Sequence, residues 1–137
     1  MKYIYEMKMK VRDYEVDSEG IVNNAVYHHY LEHTRHEFCE WAGLRFRDMH
    51  ARGIDPVVRR VEIDYLSPLT LGETMTSRLA LRREGPRFIF TQDIYHHPSE
   101  VPAVKATVTI VSVENGRLTR GDVLAEAFNR FIEDDRR

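Results

Sequence analysis

The spacing of hydrophobic residues constrains the fold of this chain more than any other feature, because it changes to a helical period over one long segment. The residues of that segment are Tyr27, Tyr30, Leu31, Thr34, Phe38 and Trp41. Spacings of three and four predict an amphipathic helix with one face on a core. Asn23 or Asn24 suits the N-cap, and Gly43 suits the C-terminal end.

Elsewhere apolar and polar residues alternate, which is typical of half-buried β-strands. Such runs extend from Tyr3 to Val11 and over 60–65. Further strands are predicted over 74–83, 87–97 and 103–114, because turn-forming residues separate these segments. Asn115-Gly116 is typical of a tight turn. We expect a loop over 13–23 and a short helical turn over 45–52. A C-terminal amphipathic helix is predicted from Leu124, Ala127, Phe128, Phe131 and Ile132.

This order of elements predicts a single α+β domain over residues 1–137, since no linker, repeat or low-complexity tract divides the chain. The short connections favour antiparallel pairing, because parallel strands need a long crossover. A curved antiparallel sheet wrapped around one long central helix, with the C-terminal helix beside it, would bury both apolar faces. That arrangement is the hot-dog fold.

Charge and cysteine content exclude several classes of function. The chain has 20 Lys and Arg against 22 Asp and Glu, a net charge of −2, so no surplus of cations attracts nucleic acid or anionic lipid. The single cysteine, Cys39, excludes a disulfide framework and a cysteine-rich zinc site. No apolar run approaches a membrane span of roughly 20 residues, and the N-terminus lacks a signal peptide's apolar core. We expect a cytoplasmic protein with no membrane partner.

Asp17 precedes the predicted helix start by seven residues, with Gly20 between them to let the backbone turn. The free N–H groups of a helix start carry the positive end of its dipole and can stabilise the oxyanion of an attacked ester or thioester. Asp17 could then attack that carbonyl or activate water, with the Asn24 N–H as electrophile. An acidic residue before a helix is also typical of ordinary capping, so the residues alone leave both interpretations open.

The run from Asp17 through Gly20, Ile21 and Val22 to Tyr27 resembles the signature of the 4-hydroxybenzoyl-CoA thioesterase family of hot-dog proteins. Residues 12–27, with His36-Glu37-Phe38 later in the helix, are especially similar to its bacterial and plant acyl-thioesterase branch. Residues 62–73 resemble the second strand of the family and the turn after it. The likeness covers about residues 8–42 and 60–73.

This resemblance implies an acyl-CoA or acyl-carrier-protein thioesterase of fatty acid metabolism that needs no metal or organic cofactor. It implies that Asp17 is the catalytic carboxylate and that the Asn24 backbone N–H contacts the thioester oxygen. Gly20 and Tyr27 complete the implied catalytic motif, and Val22 and Asn23 are implied to bind substrate. A homodimer or homotetramer is expected, with the active site at the dimer interface. A hot-dog hydratase or dehydratase, and a non-catalytic acyl-CoA binder, are the alternatives.

Other polar residues have competing interpretations. Arg82, Arg83 and Arg87 flank a turn and could bind the phosphates of a CoA or phosphopantetheine arm, or could simply be solvated. A solvated helix face is predicted for His29, His33, His36 and Glu40, and inert packing is predicted for Cys39. Simple exposed loop carboxylates are predicted for Asp13, Glu15 and Glu19. No serine-nucleophile elbow, P-loop or dinucleotide-binding glycine motif occurs.

Overall fold

A computed structural model describes residues 2–132 as one antiparallel sheet with one long helix and shorter helices. The strands are β1 (Tyr5–Lys10), β2 (Ile54–Tyr65), β3 (Thr74–Glu84), β4 (Arg87–His96), β5 (Pro102–Glu114) and β6 (Arg117–Leu118). The α-helices are α1 (Asn24–Trp41), α2 (Phe46–Ala51) and α3 (Asp122–Phe128). Short 3-10 turns span Asp13–Glu15 and Asn129–Phe131. Over residues 2–132 no helix is both long and apolar enough to cross a membrane.

The strands lie in the spatial order β1-β3-β4-β5-β2, and β6 pairs with β5. Every pairing is antiparallel, as the short connections predict. Although β2 and β3 are consecutive in the chain, they are not neighbours in the sheet, so residues 66–73 cross over instead of forming a hairpin. The sheet curls around α1, and the predicted α+β hot-dog fold is confirmed.

The apolar face of α1 fills the curve of the sheet. Phe38 is fully buried, and its ring centroid lies 6.2 Å from that of Phe90, 6.4 Å from that of Phe128 and 5.1 Å from that of Phe131. Burying one such side chain contributes about 1.5–3 kcal/mol to folding. The C-terminal aromatic residues are therefore part of the same core as the central helix.

The two ends of α1 lie close to where the sequence predicts them. Asn23 is the N-cap, and its Oδ1 accepts a hydrogen bond from Ala25 N at 2.9 Å. Gly43 follows the C-cap with a φ of +77°, a left-handed conformation that favours glycine. The predicted buried stripe is wrong at one residue, because Trp41, on the last turn, is 62% exposed.

Four elements differ from the sequence prediction, the first being β1, which spans Tyr5–Lys10 instead of residues 3–11. β2 begins at Ile54 instead of residue 60, and it includes Pro56 because an edge strand tolerates a missing N–H. Residues 13–23 contain a 3-10 turn and an antiparallel bridge between Val16 and Val22. The C-terminal α-helix ends at Phe128 and continues as a 3-10 turn. The strands predicted over 74–83, 87–97 and 103–114 are confirmed to within one residue.

Candidate active site

Asp17 occupies a tight turn that the bridge between Val16 and Val22 closes. Its N–H donates to Ile21 O at 2.9 Å, and its carbonyl accepts from Gly20 N at 3.0 Å. Gly20 has a φ of +80°, which explains why glycine stands at this position. Asp17 Oδ1 accepts a hydrogen bond from Glu19 N at 2.8 Å. The exposed carboxylate is thus held by one oxygen, and Oδ2 has no hydrogen-bond partner among residues 2–132.

A cleft of about 250 Å³ opens at the start of α1. Its wall comprises Ile21, Val22, Asn24, Tyr27, Tyr65, Leu66, Ser67, Pro68 and Ala103. Asn23 caps Ala25 N, whereas the Asn24 N–H meets no acceptor within the described part of the chain. An uncapped first-turn N–H at the positive end of an 18-residue helix is suited to stabilise an oxyanion.

Tyr27 links the connection between β2 and β3, residues 66–73, to the start of α1. Its hydroxyl accepts a hydrogen bond from Leu69 N at 3.0 Å, and Val22 N donates to Leu69 O at 2.9 Å. The Tyr27 ring is buried and lies 5.6 Å from that of Tyr65. Burial raises the pKa of Tyr27, so the hydroxyl keeps its proton. The contacts of Tyr27 indicate a residue that positions the cleft wall.

The structure brings Val22, Asn24 and Tyr27 together around the cleft and places Asn23 at the cap. Asp17 does not line the cleft, and no hydrogen bond joins it to Asn24 within the described chain. The two are connected through Ile21, which belongs both to the Asp17 turn and to the cleft wall.

The prediction for Glu15 is wrong, because its side chain is buried. Glu15 Oε1 accepts hydrogen bonds from Tyr30 Oη and from Arg12 N, both at 2.8 Å. Arg12 also forms an ion pair with Glu15 Oε2 at 3.3 Å. Burial and the Glu15 carboxylate both raise the pKa of Tyr30. Asp13 and Glu19 are exposed as predicted.

The three arginines near the β3–β4 turn differ in their contacts. Arg83 donates to Gly85 O, to Arg120 O and to Asp122 Oδ1, each at 2.8 Å, so its guanidinium holds the turn against the start of α3. Arg82 Nε donates to Glu84 Oε2 at 2.8 Å. Arg87 is exposed and forms no ion pair or side-chain hydrogen bond in the described chain. None of the three lines the cleft.

The polar face of α1 is exposed as predicted, with His29, His33, His36 and Glu40 all on the surface. No group of three potential metal ligands occurs within residues 2–132. Cys39 is buried in the core, where burial raises the pKa of its thiol to about 12. Its thiol is therefore protonated, which agrees with the predicted inert packing.

A hydrogen-bonded chain of Ser67, His96 and Glu73 was not predicted from the sequence. Ser67 Oγ lies 2.8 Å from His96 Nε2, and His96 Nδ1 contacts Glu73 Oε1. The order resembles a catalytic triad. However, Ser67 Oγ also lies 2.7 Å from Pro102 O, and a carbonyl can only accept. The Ser67 hydroxyl proton is therefore directed to Pro102 O and away from His96.

This hydrogen-bond direction makes the chain of three a structural clasp. A nucleophilic serine directs its proton to the base, whereas Ser67 directs its proton to a backbone carbonyl. Burial opposes ionisation of Glu73, but the His96 and Thr70 hydrogen bonds outweigh it and lower the pKa of Glu73. The clasp fastens residues 66–73 to the ends of β4 and β5. Sequence patterns could not reveal it, since His96 lies 29 residues from Ser67 and 23 from Glu73.

Comparisons with known proteins identify the family of the chain. Residues 11–133 match the model of the thioesterase-like superfamily. A chloroplastic acyl-acyl carrier protein thioesterase of Arabidopsis thaliana is 33% identical over 116 residues, which cover 84% of this chain and 61% of that protein. The long-chain acyl-CoA thioesterase of Escherichia coli is 32% identical, covering 80% of this chain and 83% of that protein.

Comparison with solved structures finds the same fold in a thioesterase. A crystal structure of a 1,4-dihydroxy-2-naphthoyl-CoA thioesterase from Synechocystis superposes with a TM-score of 0.84, covering 97% of this chain and 98% of that one. At 14% identity this likeness concerns the fold alone. The chain spans about 60% of the length of its two Arabidopsis relatives.

Proposed function

The chain belongs to the thioesterase-like superfamily, and from this membership we propose that it hydrolyses acyl thioesters of coenzyme A or of acyl carrier protein. The names of the Arabidopsis and Escherichia coli relatives support the reaction and both carriers. Water and an acyl thioester would yield a carboxylic acid and a free thiol.

One observation carries the proposal. A carboxylate with a free oxygen, Asp17, lies on a turn that leads directly into a helix start with an open N–H at Asn24. Hydrolysis needs these two functions, because one group must deliver the nucleophile and another must stabilise the charge that develops on the carbonyl oxygen.

In the proposed mechanism the thioester oxygen accepts a hydrogen bond from the Asn24 N–H. Asp17 then either attacks the carbonyl carbon, giving a mixed anhydride that water hydrolyses, or removes a proton from the attacking water. The carbon–sulfur bond breaks, and the thiolate takes up a proton. Gly20 allows the turn that holds Asp17, Tyr27 positions the cleft, and Val22 and Asn23 contact the substrate beside it.

We propose that subunit pairing completes this site in a homodimer or homotetramer. Within residues 2–132, β2 has 12 residues but only one strand partner, β5, so its outer edge presents unpaired backbone groups. Val57, Val58 and Tyr65 of this strand are 42%, 43% and 48% exposed. Pairing of two β2 edges would cover these groups and would bring a second chain close to the cleft, since Tyr65 also lines it.

We also propose that exposed arginines bind the phosphates of the thiol carrier. Arg87 is the best placed of the three, because its guanidinium is not engaged by another side chain of the described structure. Arg82 and Arg83 would have to give up existing hydrogen bonds to bind a phosphate.

The test compares Asp17→Asn and Asp17→Ala with Glu19→Gln, measuring thiol release from acyl-CoA and acyl-carrier-protein substrates. Glu19 is a matched control, since it is an exposed acid in the same turn. We expect the Asp17 variants to lose about 10²–10⁴-fold in turnover, with little change in the control. Full turnover by a folded Asp17→Ala variant would refute the assignment.

Two further outcomes separate the alternatives. Incorporation of oxygen-18 from labelled water into Asp17 in a single turnover would identify it as the nucleophile, and its absence would favour the general base. Acyl-CoA binding without thiol release, or hydration of an acyl double bond, would contradict hydrolysis and favour a binding protein or a hydratase.

A further inference from the structure

A second cavity, of about 160 Å³, lies under the middle of α1 and shares no residue with the cleft at the helix start. Much of its wall is apolar, formed by Phe46, Val58, Phe90, Ile110 and Phe128. A cavity of about 150 Å³ holds one benzene ring. The space therefore suits a phenyl group or a short hydrocarbon chain.

Polar side chains also line this cavity, and the most deeply buried of them that carries a charge is Arg35. Arg35 is only 8% exposed, and its one hydrogen bond to a protein group of the described chain runs from Nη1 to Gln92 Oε1 at 3.0 Å. Gln92 is fully buried and is oriented by a hydrogen bond from its Nε2 to Leu31 O at 3.0 Å. The guanidinium is thus held by a fixed neutral partner.

No ion pair compensates the charge of Arg35 within residues 2–132. Burial accordingly lowers its pKa, although Glu32 opposes the shift. A guanidinium has five N–H donors, and Gln92 uses one of them. No buried side-chain nitrogen or oxygen of the described residues lacks a hydrogen-bond partner, so the remaining guanidinium nitrogens of Arg35 are accessible. An anionic ligand in the cavity could therefore accept hydrogen bonds from them.

We propose that this cavity binds a small carboxylic acid as its anion. The carboxylate would accept two hydrogen bonds from the Arg35 guanidinium, the geometry in which arginine binds carboxylates most strongly. The hydrocarbon part would lie among Phe46, Phe90, Ile110 and Phe128. This binding does not depend on Asp17, so it goes beyond the proposed hydrolysis, although a carboxylic acid is also the product class of that reaction.

Other groups around Arg35 affect the expected affinity for a carboxylate. Glu32, one helical turn earlier, lines the cavity with an exposed carboxylate that would repel an anionic ligand. His36 also lines the cavity, and burial lowers its pKa, which leaves its ring neutral at pH 7. Cys39 is protonated. Replacing Glu32 with Gln should therefore tighten carboxylate binding.

The experiment measures the affinity of hexanoate and benzoate, with hexanol and benzyl alcohol as uncharged controls of the same shape. We expect the wild-type protein to bind each carboxylate at least about 10-fold more tightly than its alcohol. Arg35→Met should remove that preference and leave alcohol binding within about 3-fold, whereas Glu32→Gln should strengthen carboxylate binding. Asp17→Asn should bind hexanoate like the wild type, which separates this proposal from the hydrolytic one.

The side-chain amide resonances of Gln92 locate the ligand, because Gln92 contacts Arg35 directly. They should shift on addition of hexanoate. Equal wild-type affinity for hexanoate and hexanol would overturn the proposal even if Arg35→Met failed to fold. An unshifted Gln92 resonance would also overturn the proposal. Loss of the oligomer in Arg35→Met would overturn it as well, because the counterion of Arg35 would then come from a second copy of the chain and not from a ligand.

Discussion

Replacing His96 with Gln tests whether the clasp of Ser67, His96 and Glu73 is structural. The change removes a charge-assisted hydrogen bond to Glu73, worth about 1.5–3 kcal/mol, and weakens one to Ser67, worth about 1 kcal/mol. Glu73 keeps its bonds from Thr70 N at 2.9 Å and Thr70 Oγ1 at 3.2 Å. The loss should therefore stay below the 3–5 kcal/mol of a fully isolated buried charge. We expect the free energy of unfolding to fall by about 2–3 kcal/mol.

The pH dependence of this difference in stability can also be predicted. The folded-state pKa of Glu73 lies below its usual value of 4.5, so the stability contributed by its ionised form is complete above pH 4.5 and is lost as the pH falls through the folded value. Denaturant unfolding of the wild type and His96→Gln should differ most at pH 7 and converge in acid. His97→Gln is the control, since His97 is exposed and its side chain makes no hydrogen bond in the described structure. Equal stability of wild type and His96→Gln at pH 7, or a difference that grows in acid, would refute the reasoning.

Three further predictions concern single residues. Tyr30→Phe leaves the buried Glu15 carboxylate without its 2.8 Å donor and should lower the free energy of unfolding by about 1–3 kcal/mol in denaturant titrations. Val58→Lys puts a charge on the outer edge strand and should shift the oligomer toward monomer in light scattering. Arg87→Ala should raise the KM for acyl-CoA by about 2–5-fold, the effect of one exposed ionic contact, and leave the KM for acyl-pantetheine unchanged.

Each of these changes has a matched control in the chain. Tyr14→Phe removes a hydroxyl from a residue that is 74% exposed, and it should leave stability unchanged. Leu118→Lys charges an exposed residue of β6 away from the β2 edge, so the oligomer should persist. Arg47→Ala removes an exposed arginine of α2, and it should leave both KM values unchanged. A stable monomer of the wild type, or equal KM effects on both substrates in Arg87→Ala, would contradict the corresponding prediction.

Local sequence patterns correctly predicted the secondary-structure elements that depend mainly on residues close together in the chain. The helix over 24–41 has a strong apolar period and a capping Asn23, and the turn residues Gly85-Pro86 separate the strands over 74–84 and 87–96. β2 was predicted too short because Pro56 is normally evidence against a strand, and only its place at the sheet edge makes the proline acceptable.

Long-range contacts explain what the sequence could not reveal. Glu15 resembles its acidic neighbours Asp13 and Glu19 in sequence, and it differs from them only because the turn folds beneath Tyr30, 15 residues later. The environment of Arg35 likewise could not be predicted from local patterns, because its hydrogen-bond partner Gln92 lies 57 residues away in the sequence. Arg35 is not part of the apolar stripe of α1, and it is nevertheless buried in the folded chain.

The two proposed anion sites should respond differently to salt, because they differ in burial. The net charge of −2 provides no long-range attraction for anions, so binding must rest on local contacts. At Arg87 the guanidinium is exposed, and ions at 0.15 M screen exposed charges beyond about 8 Å. Arg35 is 8% exposed, and buried pairs are screened much less. Raising the salt concentration should therefore increase the KM for acyl-CoA while the affinity for hexanoate stays nearly constant, and equal salt dependence of both would contradict the assignment of hexanoate to the buried cavity.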